Sequence, residues 1–396
     1  MQKIMAVNAG SSSIKFQLLE MPAENVICSG LVERIGLQDA GFTLKFGDKK
    51  EEKVLPIQDH SVGVQLILDA LLEKGIVKSL EEIDGVGHRV VQGGEFFQDS
   101  CEVTEDTVQK IILLADLAPL HNPHHVTGIR AFQKVLPNVF QVVVFDTTFH
   151  QTLSEEAFMY AVPHYWYDQY KIRKYGAHGT SHKFVSIECA KEMGKELEDT
   201  KIVVCHIGNG ASICAVKGGL SVDTSMGLTP LEGIPMGTRT GNIDPTVVEY
   251  ICKKENKTPS EVLNVLNKKS GYLGFSERSH DARDLTKGMN EGDHNCKLIF
   301  DIQAKRVVDY IGSYYFYMQG CDAICFTAGI GENVWHLREN ICNRLEFLGV
   351  KIDKELNKTI YGKKTLISTP DSTIKVYVMP TNEEVMIARD VVRLKK

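Results

Sequence analysis

The segment IMAVNAGSSSIKF (Ile4 to Phe16) runs from an apolar stretch through a polar residue into a Gly/Ser turn, then back into an apolar stretch. The same order recurs in IVVCHIGNGASICAV (Ile202 to Val216). Gly10 and Gly208, at matching points of the two turns, are 198 residues apart in a chain of 396. An offset of half the length predicts a duplicated α/β domain, with one glycine-rich β-hairpin from each half facing the other across a cleft. Either hairpin alone would be unremarkable, because such turns are common. The length coincidence is what favours duplication.

Working outward from the two hairpins, strands and helices alternate along most of the chain, the pattern of an α/β protein with covered sheets. Ile4–Val7, Gln141–Phe145, Ile202–His206 and Ala323–Thr327 read as strands, each apolar and ending in a polar or glycine-rich turn. Ser79 with Glu82, and Thr258 with Glu261 and Pro259, fit capping boxes. An amphipathic helix is expected from Cys296 to Met318 with Gly320 as its stop, another between Gly331 and Gly349, and a last one from Asn382 to Leu394. The expected domains are 1–149, 150–381, and a C-terminal helix, 382–396, returning to the first domain. Hinges are expected near residues 150 and 381, with closure around the substrates.

Composition narrows the function. Hydrophobic residues make up 43% and charged residues 24%, a soluble globular mix. Lys plus Arg total 45 against 51 Asp plus Glu, so no global basic field exists to hold nucleic acid or an acidic membrane. The apolar run Ile4–Val7 is too short for a signal peptide, and no run approaches the ~20 residues of a spanning helix. The ten cysteines lie mostly inside apolar runs and none forms C-x-x-C, as expected of buried thiols in a reducing, cytoplasmic setting.

Several signatures are missing. No P-loop occurs, Gly329-x-Gly331 lacks the third glycine of a dinucleotide fingerprint, and there is no G-x-S-x-G or H-E-x-x-H. Anion cradles stand in their place. Around Gly10 the backbone can approach a phosphate, Ser11, Ser12 and Ser13 add hydroxyl donors, and Lys15 adds a charge. Asn8 at the strand end offers an oxygen to a metal or its water shell. His206-Ile207-Gly208-Asn209-Gly210 repeats the arrangement, and Gly329-Ile330-Gly331-Glu332-Asn333 is a glycine turn opening into a helix. Three such loops point to a nucleotide. Arg89 and Arg239, flanked by glycines or small residues, suit a small multiply charged substrate, since a guanidinium can grip carboxylate or phosphoryl oxygens. Asp146 follows an apolar strand and is expected at its end. His121, His124 and His125 lack cysteine or carboxylate partners at zinc spacing and read as solvated or hydrogen-bonded. Lys15 could equally be an ordinary outward strand residue, and Glu384 the exposed side of the last helix.

In order along the chain stand V-N-A-G-S-S-S-I-K (7–15), H-R-V-V-Q-G-G-E (88–95), V-F-D-T-T-F-H (144–150), H-G-T-S-H (178–182), H-I-G-N-G (206–210), G-T-R-T-G (237–241), G-I-G-E-N (329–333) and T-N-E-E (381–384). With these the chain resembles the acetate kinase (acetokinase) family over essentially its full length. The resemblance implies duplicated actin-like (ribonuclease H-like) domains with a nucleotide cleft between them. It implies the reversible reaction ATP + acetate ⇌ ADP + acetyl phosphate, a requirement for Mg²⁺ or Mn²⁺, and a homodimer. By the same resemblance Asn8 and Glu383 stand beside the metal, and Lys15, Ser11, Ser13 and the His206–Gly210 turn hold the nucleotide phosphates. Asp281-Ala282-Arg283 and Gly329–Asn333 hold the adenosine. Arg89 grips the acetate carboxylate, with Asp146 as the essential acid, while His178 and Arg239 stabilise the phosphoryl group in flight. Val91, Leu120 and Pro230 enclose the acetate methyl.

This chain departs from the family pattern at a few positions. Ala177 stands where the family usually has Phe, which predicts a roomier acyl pocket open to propionate or a longer acid. Gln92 replaces a usual His and Asn242 a usual Asp, and the charged Glu277 and Arg278 flank the base-binding loop. The alternatives are a propionate or butyrate kinase of the same family and, more remotely, a nucleotide-switched actin-like ATPase. The two-arginine, Asp146 and apolar-pocket constellation favours the carboxylate kinase, because a switch protein has no need of it.

Overall fold

A computed structural model describes residues 1–119 and 121–395; Leu120, assigned above to the methyl pocket, lies outside them. The chain divides into two compact units, Met1–Gln151 with Asn382–Lys396, and Thr152–Thr381.

In the first unit the opening hairpin is β1 (Gln2–Ala9) and β2 (Ser13–Met21), continued antiparallel by β3 (Asn25–Glu33), β4 (Ala40–Phe46) and β5 (Lys49–Leu55). On the other side of β1 lie β6 (Ile83–Val90) and, beyond it, β8 (Phe140–Phe145), both parallel, with the short β7 (Cys101–Glu102) antiparallel at the edge. The order is β5-β4-β3-β2-β1-β6-β8-β7. Ile4 to Val7 are buried without interruption, as a central strand covered on both faces requires. The outermost β5, KKEEKVL, is charged and exposed, which protects the sheet edge from pairing with other chains. The C-terminal helix Glu383–Leu394 packs on β1, β6, β2 and β8. Gly85 and Gly87 on β6 permit that approach, since a Cβ at either would collide with Val391 or Ile387.

The second unit holds β9 (Lys201–Ile207), β10 (Ala211–Lys217), β11 (Leu220–Thr224), β12 (Ala323–Thr327), β13 (Thr365–Leu366) and β14 (Lys375–Val378), in the order β11-β10-β9-β12-β14-β13. Placed on the first sheet, these six match β3-β2-β1-β6-β8-β7 strand for strand, with the same parallel and antiparallel neighbours. The first unit adds only β4 and β5. The hairpin tips differ by one residue, with Asn8 opposite Lys15 in one and His206 opposite Ser212 in the other, so the second turn is one residue shorter.

Most helix ends follow the sequence. Thr258 and Glu261 form the expected capping box ahead of Pro259–Lys268. Ser79 does not cap an α-helix: Leu80–Glu82 is a single 3₁₀ turn leading into β6, and Glu82 accepts from the Lys78 amide and pairs with Lys3. The long helix spans His294–Met318 and ends on Gln319 in the left-handed region, one residue before Gly320. The helix expected between Gly331 and Gly349 is broken into Ala328–Asn333, Trp335–Asn343 and a 3₁₀ turn, Glu346–Leu348. The Gly331 carbonyl, which a continuous helix would bond to residue 335, accepts from Arg338 Nη1 at 2.9 Å.

Candidate active site

In the first unit, three carboxylates gather around one arginine. Arg89 leaves the end of β6 and Asp146 follows the parallel neighbour β8, so sheet register alone brings them together. Arg89 Nε donates to Asp146 Oδ1 at 3.0 Å and Nη2 to Oδ2 at 2.5 Å, a bidentate pair with Asp146 2% exposed. Nη1 reaches Asn8 Oδ1, at the end of β1, at 3.3 Å. Glu383, the first residue of the C-terminal helix, places Oε2 4.0 Å from Arg89 Nε. Burial works against the Arg89 charge, but Asp146, Glu383 and Glu384 outweigh it and hold the guanidinium firmly protonated. The Glu383 carboxyl is pushed up to about 7 by burial, against the pull of Arg89 and with the added push of Asp146 and Glu384.

The residues of this unit expected to cradle phosphate sit at the same end of the sheet. The Gly10 amide donates to the Ser13 carbonyl at 2.8 Å, closing the turn, and a His60 ring nitrogen lies 2.8 Å from the Gly10 carbonyl oxygen. Ser11 is exposed and Ser13 half-buried. Lys15 is more than half exposed and ion-paired with Glu384 at 2.5 Å. Val91 is buried beyond the end of β6. His125 is buried too, not solvated, and burial and the Arg89 charge push its pKa down to about 3. Among the described residues no group of three His, Cys, Asp or Glu is placed to hold a metal on its own. The oxygens of Asn8, Asp146 and Glu383 are nonetheless the hard donors Mg²⁺ takes.

In the second unit His178 precedes the helix Gly179–Met193 with φ 58°, a left-handed backbone that holds its ring at the helix entrance. The ring stacks on His206 at 4.2 Å between centroids. The Gly237 amide donates to the Asn209 carbonyl at 2.9 Å, tying the G-T-R-T-G loop to the β9–β10 turn. As a result His178 Nε2 and Arg239 Nη1 lie 3.4 and 3.6 Å from the point a Cβ at Gly210 would occupy. Arg239 Nη1 donates to the Pro230 carbonyl at 3.3 Å, and burial lowers its pKa. It makes no ion pair with a carboxylate among the described residues. Ala177 is 3% exposed, and its methyl packs into the core with Cys205 and Ile207.

A cavity of about 910 Å³ in this unit is lined by Gly208, Asn209, Asp281, Ala282, Arg283, Gly329, Ile330 and Asn333, so three separate loops of the sequence reading meet at one hollow. His206, Ile207, Gly210, Gly331 and Glu332 are not on its wall. Ile207 is fully buried in the core, and Gly331 is tied to Arg338 through its carbonyl. The sequence reading missed Trp335, His336 and Tyr361, which give this wall its aromatic surface. Their one signal was position, directly after Gly329–Asn333 or in the Gly362 turn. Arg278, expected beside the base-binding loop, turns away to Glu291 at 2.9 Å. Glu277 terminates the helix Gly271–Ser276 in the left-handed region.

The sequence model of the acetokinase family matches residues 3–389. An acetate kinase of Chlorante-Aster yellows phytoplasma is 59% identical over 394 residues, covering 100% of this chain and 95% of its own. Among solved structures, the acetate kinase of Porphyromonas gingivalis superposes with a TM-score of 0.96 at 40% identity over the whole of both chains. A propionate kinase from Francisella tularensis does so with a TM-score of 0.93 at 41% identity, again over both whole chains. With the doubled sheet order, the eight motifs and these full-length matches agreeing, the chain belongs to the acetokinase family and has its actin-like, sugar-kinase-like fold.

Proposed function

We propose that the protein catalyses the reversible transfer of the γ-phosphoryl group of ATP to acetate, giving acetyl phosphate and ADP. A carboxylate oxygen forms the new bond to the γ-phosphorus as the bond to the ADP oxygen breaks, in line and with no covalent enzyme intermediate. The observation that carries this reading is the contrast between two half-buried arginines. Arg89 is braced by Asp146 and keeps N–H groups for a carboxylate, while Arg239, without an acidic partner, is poised with His178 for the charge on the phosphoryl oxygens. The aromatic-walled cavity takes the adenosine, and Asn209 and Gly208 at its rim lead to the phosphates. Lys15, Ser11 and Ser13 serve the phosphates from the first unit. Asn8 and Glu383, with Asp146 behind them, would hold Mg²⁺ or Mn²⁺. When bound, the ion neutralises phosphate charge and brings the Glu383 carboxyl into its ionised form. Val91, Pro230 and Ala177 are the described residues proposed to accommodate the methyl group. The enzyme is proposed to work as a homodimer in the cytoplasm.

Trapping with hydroxylamine in the presence of ATP, Mg²⁺ and acetate tests the reading. Acetate-dependent hydroxamate is expected; phosphate release without hydroxamate would overturn it in favour of a nucleotide switch. A panel of acetate, propionate and butyrate tests the acyl limit, with acetate expected to give the highest kcat/KM and Ala177→Phe to depress propionate more than acetate. Light scattering at working concentration reads the dimer.

A further inference from the structure

His336, on the helix Trp335–Asn343, and Thr286, on the helix Ala282–Asn290, both line the cavity of the second unit. Thr286 Oγ1 lies 2.7 Å from the Ala282 carbonyl oxygen one turn back and 3.1 Å from His336 Nε2. A carbonyl only accepts, so the single hydroxyl hydrogen is committed to Ala282, and Thr286 offers His336 a lone pair. His336 Nε2 must then carry a hydrogen. Burial and the Arg338 charge push the pKa of this ring down to about 4, against the pull of Asp301, so it is neutral near pH 7 and its Nδ1 is bare. Nδ1 makes no hydrogen bond to any described residue and is not sealed from solvent. Phe300 meets the ring edge-on at 4.7 Å between centroids, and Trp335 does so at 5.7 Å, which holds its plane.

We propose that His336 selects the base of the nucleotide, its Nδ1 accepting from the 6-amino group of adenine and rejecting a 6-carbonyl oxygen at the same place. Thr286 is the positioning residue that keeps the ring in the accepting tautomer. The inference rests on the reading of this cavity as the adenosine site and adds which base it takes.

Other polar groups on the wall do not have this fixed polarity. The Tyr361 hydroxyl can rotate to donate or accept, and His280 makes no hydrogen bond to a described residue that would fix its tautomer. Either would tolerate an amino group or a carbonyl. Asp281 is a fixed acceptor, but Arg283 holds it through its backbone amide and its guanidinium. The Asn333 side-chain amide donates to the Gly329 carbonyl at 2.8 Å. Trp335 and Tyr361 beside His336 supply aromatic surface for a flat base. A base with a carbonyl at its 6-position would set two acceptors against each other and leave both unpaired, a loss of about 10- to 100-fold in affinity.

ADP and IDP differ in this part of the base, an amino group in one and a carbonyl in the other. Titration calorimetry with each, in the presence of Mg²⁺ and without acetate, should show the unaltered protein binding ADP ~10- to 100-fold more tightly. His336→Phe, which keeps an aromatic ring against Phe300, should bring the two within about threefold, mainly by weakening ADP. Thr286→Val keeps the shape but frees the ring to carry its hydrogen on Nδ1; it should narrow the ratio to a similar extent, mainly by improving IDP. Thr286→Ser restores the hydroxyl and should hold the wild-type ratio. Equal binding of ADP and IDP by the unaltered protein, or the wild-type ratio surviving in His336→Phe, would overturn the proposal. So would Thr286→Ser behaving like Thr286→Val. Only binding is read here, so a protein that shows this pattern yet makes no hydroxamate would sink the kinase reading and leave the base selection standing.

Discussion

Arg89 is surrounded by Asp146, Glu383 and Glu384, whereas Arg239 is half-buried against a carbonyl and a thioether. Burying a charge without a partner is unfavourable, so Arg239 weakens the folded state unless an anion arrives. Replacing it should separate activity from stability. Arg239→Met is expected to lower kcat on the order of 10²-fold, as for loss of one preorganised donor. Its melting temperature should stay level or rise, read by calorimetry without ligand. Asp146→Asn should behave differently. It removes the carboxylate that grips Arg89 bidentately in a site 2% exposed, so kcat should fall by about 10²-fold or more and the melting temperature should fall too. A variant of Arg239 that loses several degrees, or an Asp146→Asn that gains them, would contradict this account of the two charges.

Among the elements, the break between Ala328–Asn333 and Trp335–Asn343 depends on one side chain. Arg338 is fully buried and donates to Asn357 Oδ1, the Gly331 carbonyl and the Asn357 carbonyl at 2.8–2.9 Å, and to the Ile360 carbonyl at 3.3 Å. It ties the glycine turn of the cavity wall to the segment carrying Tyr361. Arg338→Met should strand several buried acceptors, destabilise the second unit by about 3 kcal/mol or more, and raise KM for ATP more than KM for acetate. Urea unfolding and steady-state kinetics would check both. On β6, burial pushes the pKa of His88 down to about 4, against the opposing hydrogen bond that its Nε2–H donates to Gln141 Oε1. Between pH ~6.5 and ~4 the unfolded chain takes up a proton that folded His88 refuses, so stability is intact above ~6.5 and falls as pH drops through that window, by up to about 3 kcal/mol. His88→Asn should flatten the slope of urea stability between pH 7 and 5. The paired hairpins, the Thr258 capping box and Asp146 at its strand end were legible because each is a local pattern. The Arg338 break was not, since a side chain reaching from one helix to another 19 residues on leaves no periodic trace. Nor were Trp335 and Tyr361 as cavity wall, because hydrophobicity alone does not tell a core aromatic from one facing a hollow.

At the scale of the whole molecule, both sheets use one strand order, and the offset of 198 residues announced it in the sequence. Their difference lies in how they close. The second unit is continuous from Thr152 to Thr381, while the first needs Asn382 onward to cover β1 and β6. A chain ending at Thr381 should therefore keep a cooperative transition for the second unit and lose that of the first, with Ile387 and Val391 no longer filling the space above Gly85 and Gly87. Calorimetry of the truncated and full chains would show one transition lost; two retained transitions would refute it. This closing helix also sets a timetable for synthesis. A ribosome delivers Glu383 and the cover of β6 only after the whole second unit, so no nascent chain can assemble the proposed metal site before Thr152–Thr381 has been made. Termination between Thr381 and the closing helix leaves an intact second unit joined to an unfinished first one. Products of that kind hold exposed apolar sheet and carry no complete phosphoryl-transfer site, which suits them to removal by proteolysis without a stray kinase activity in the meantime.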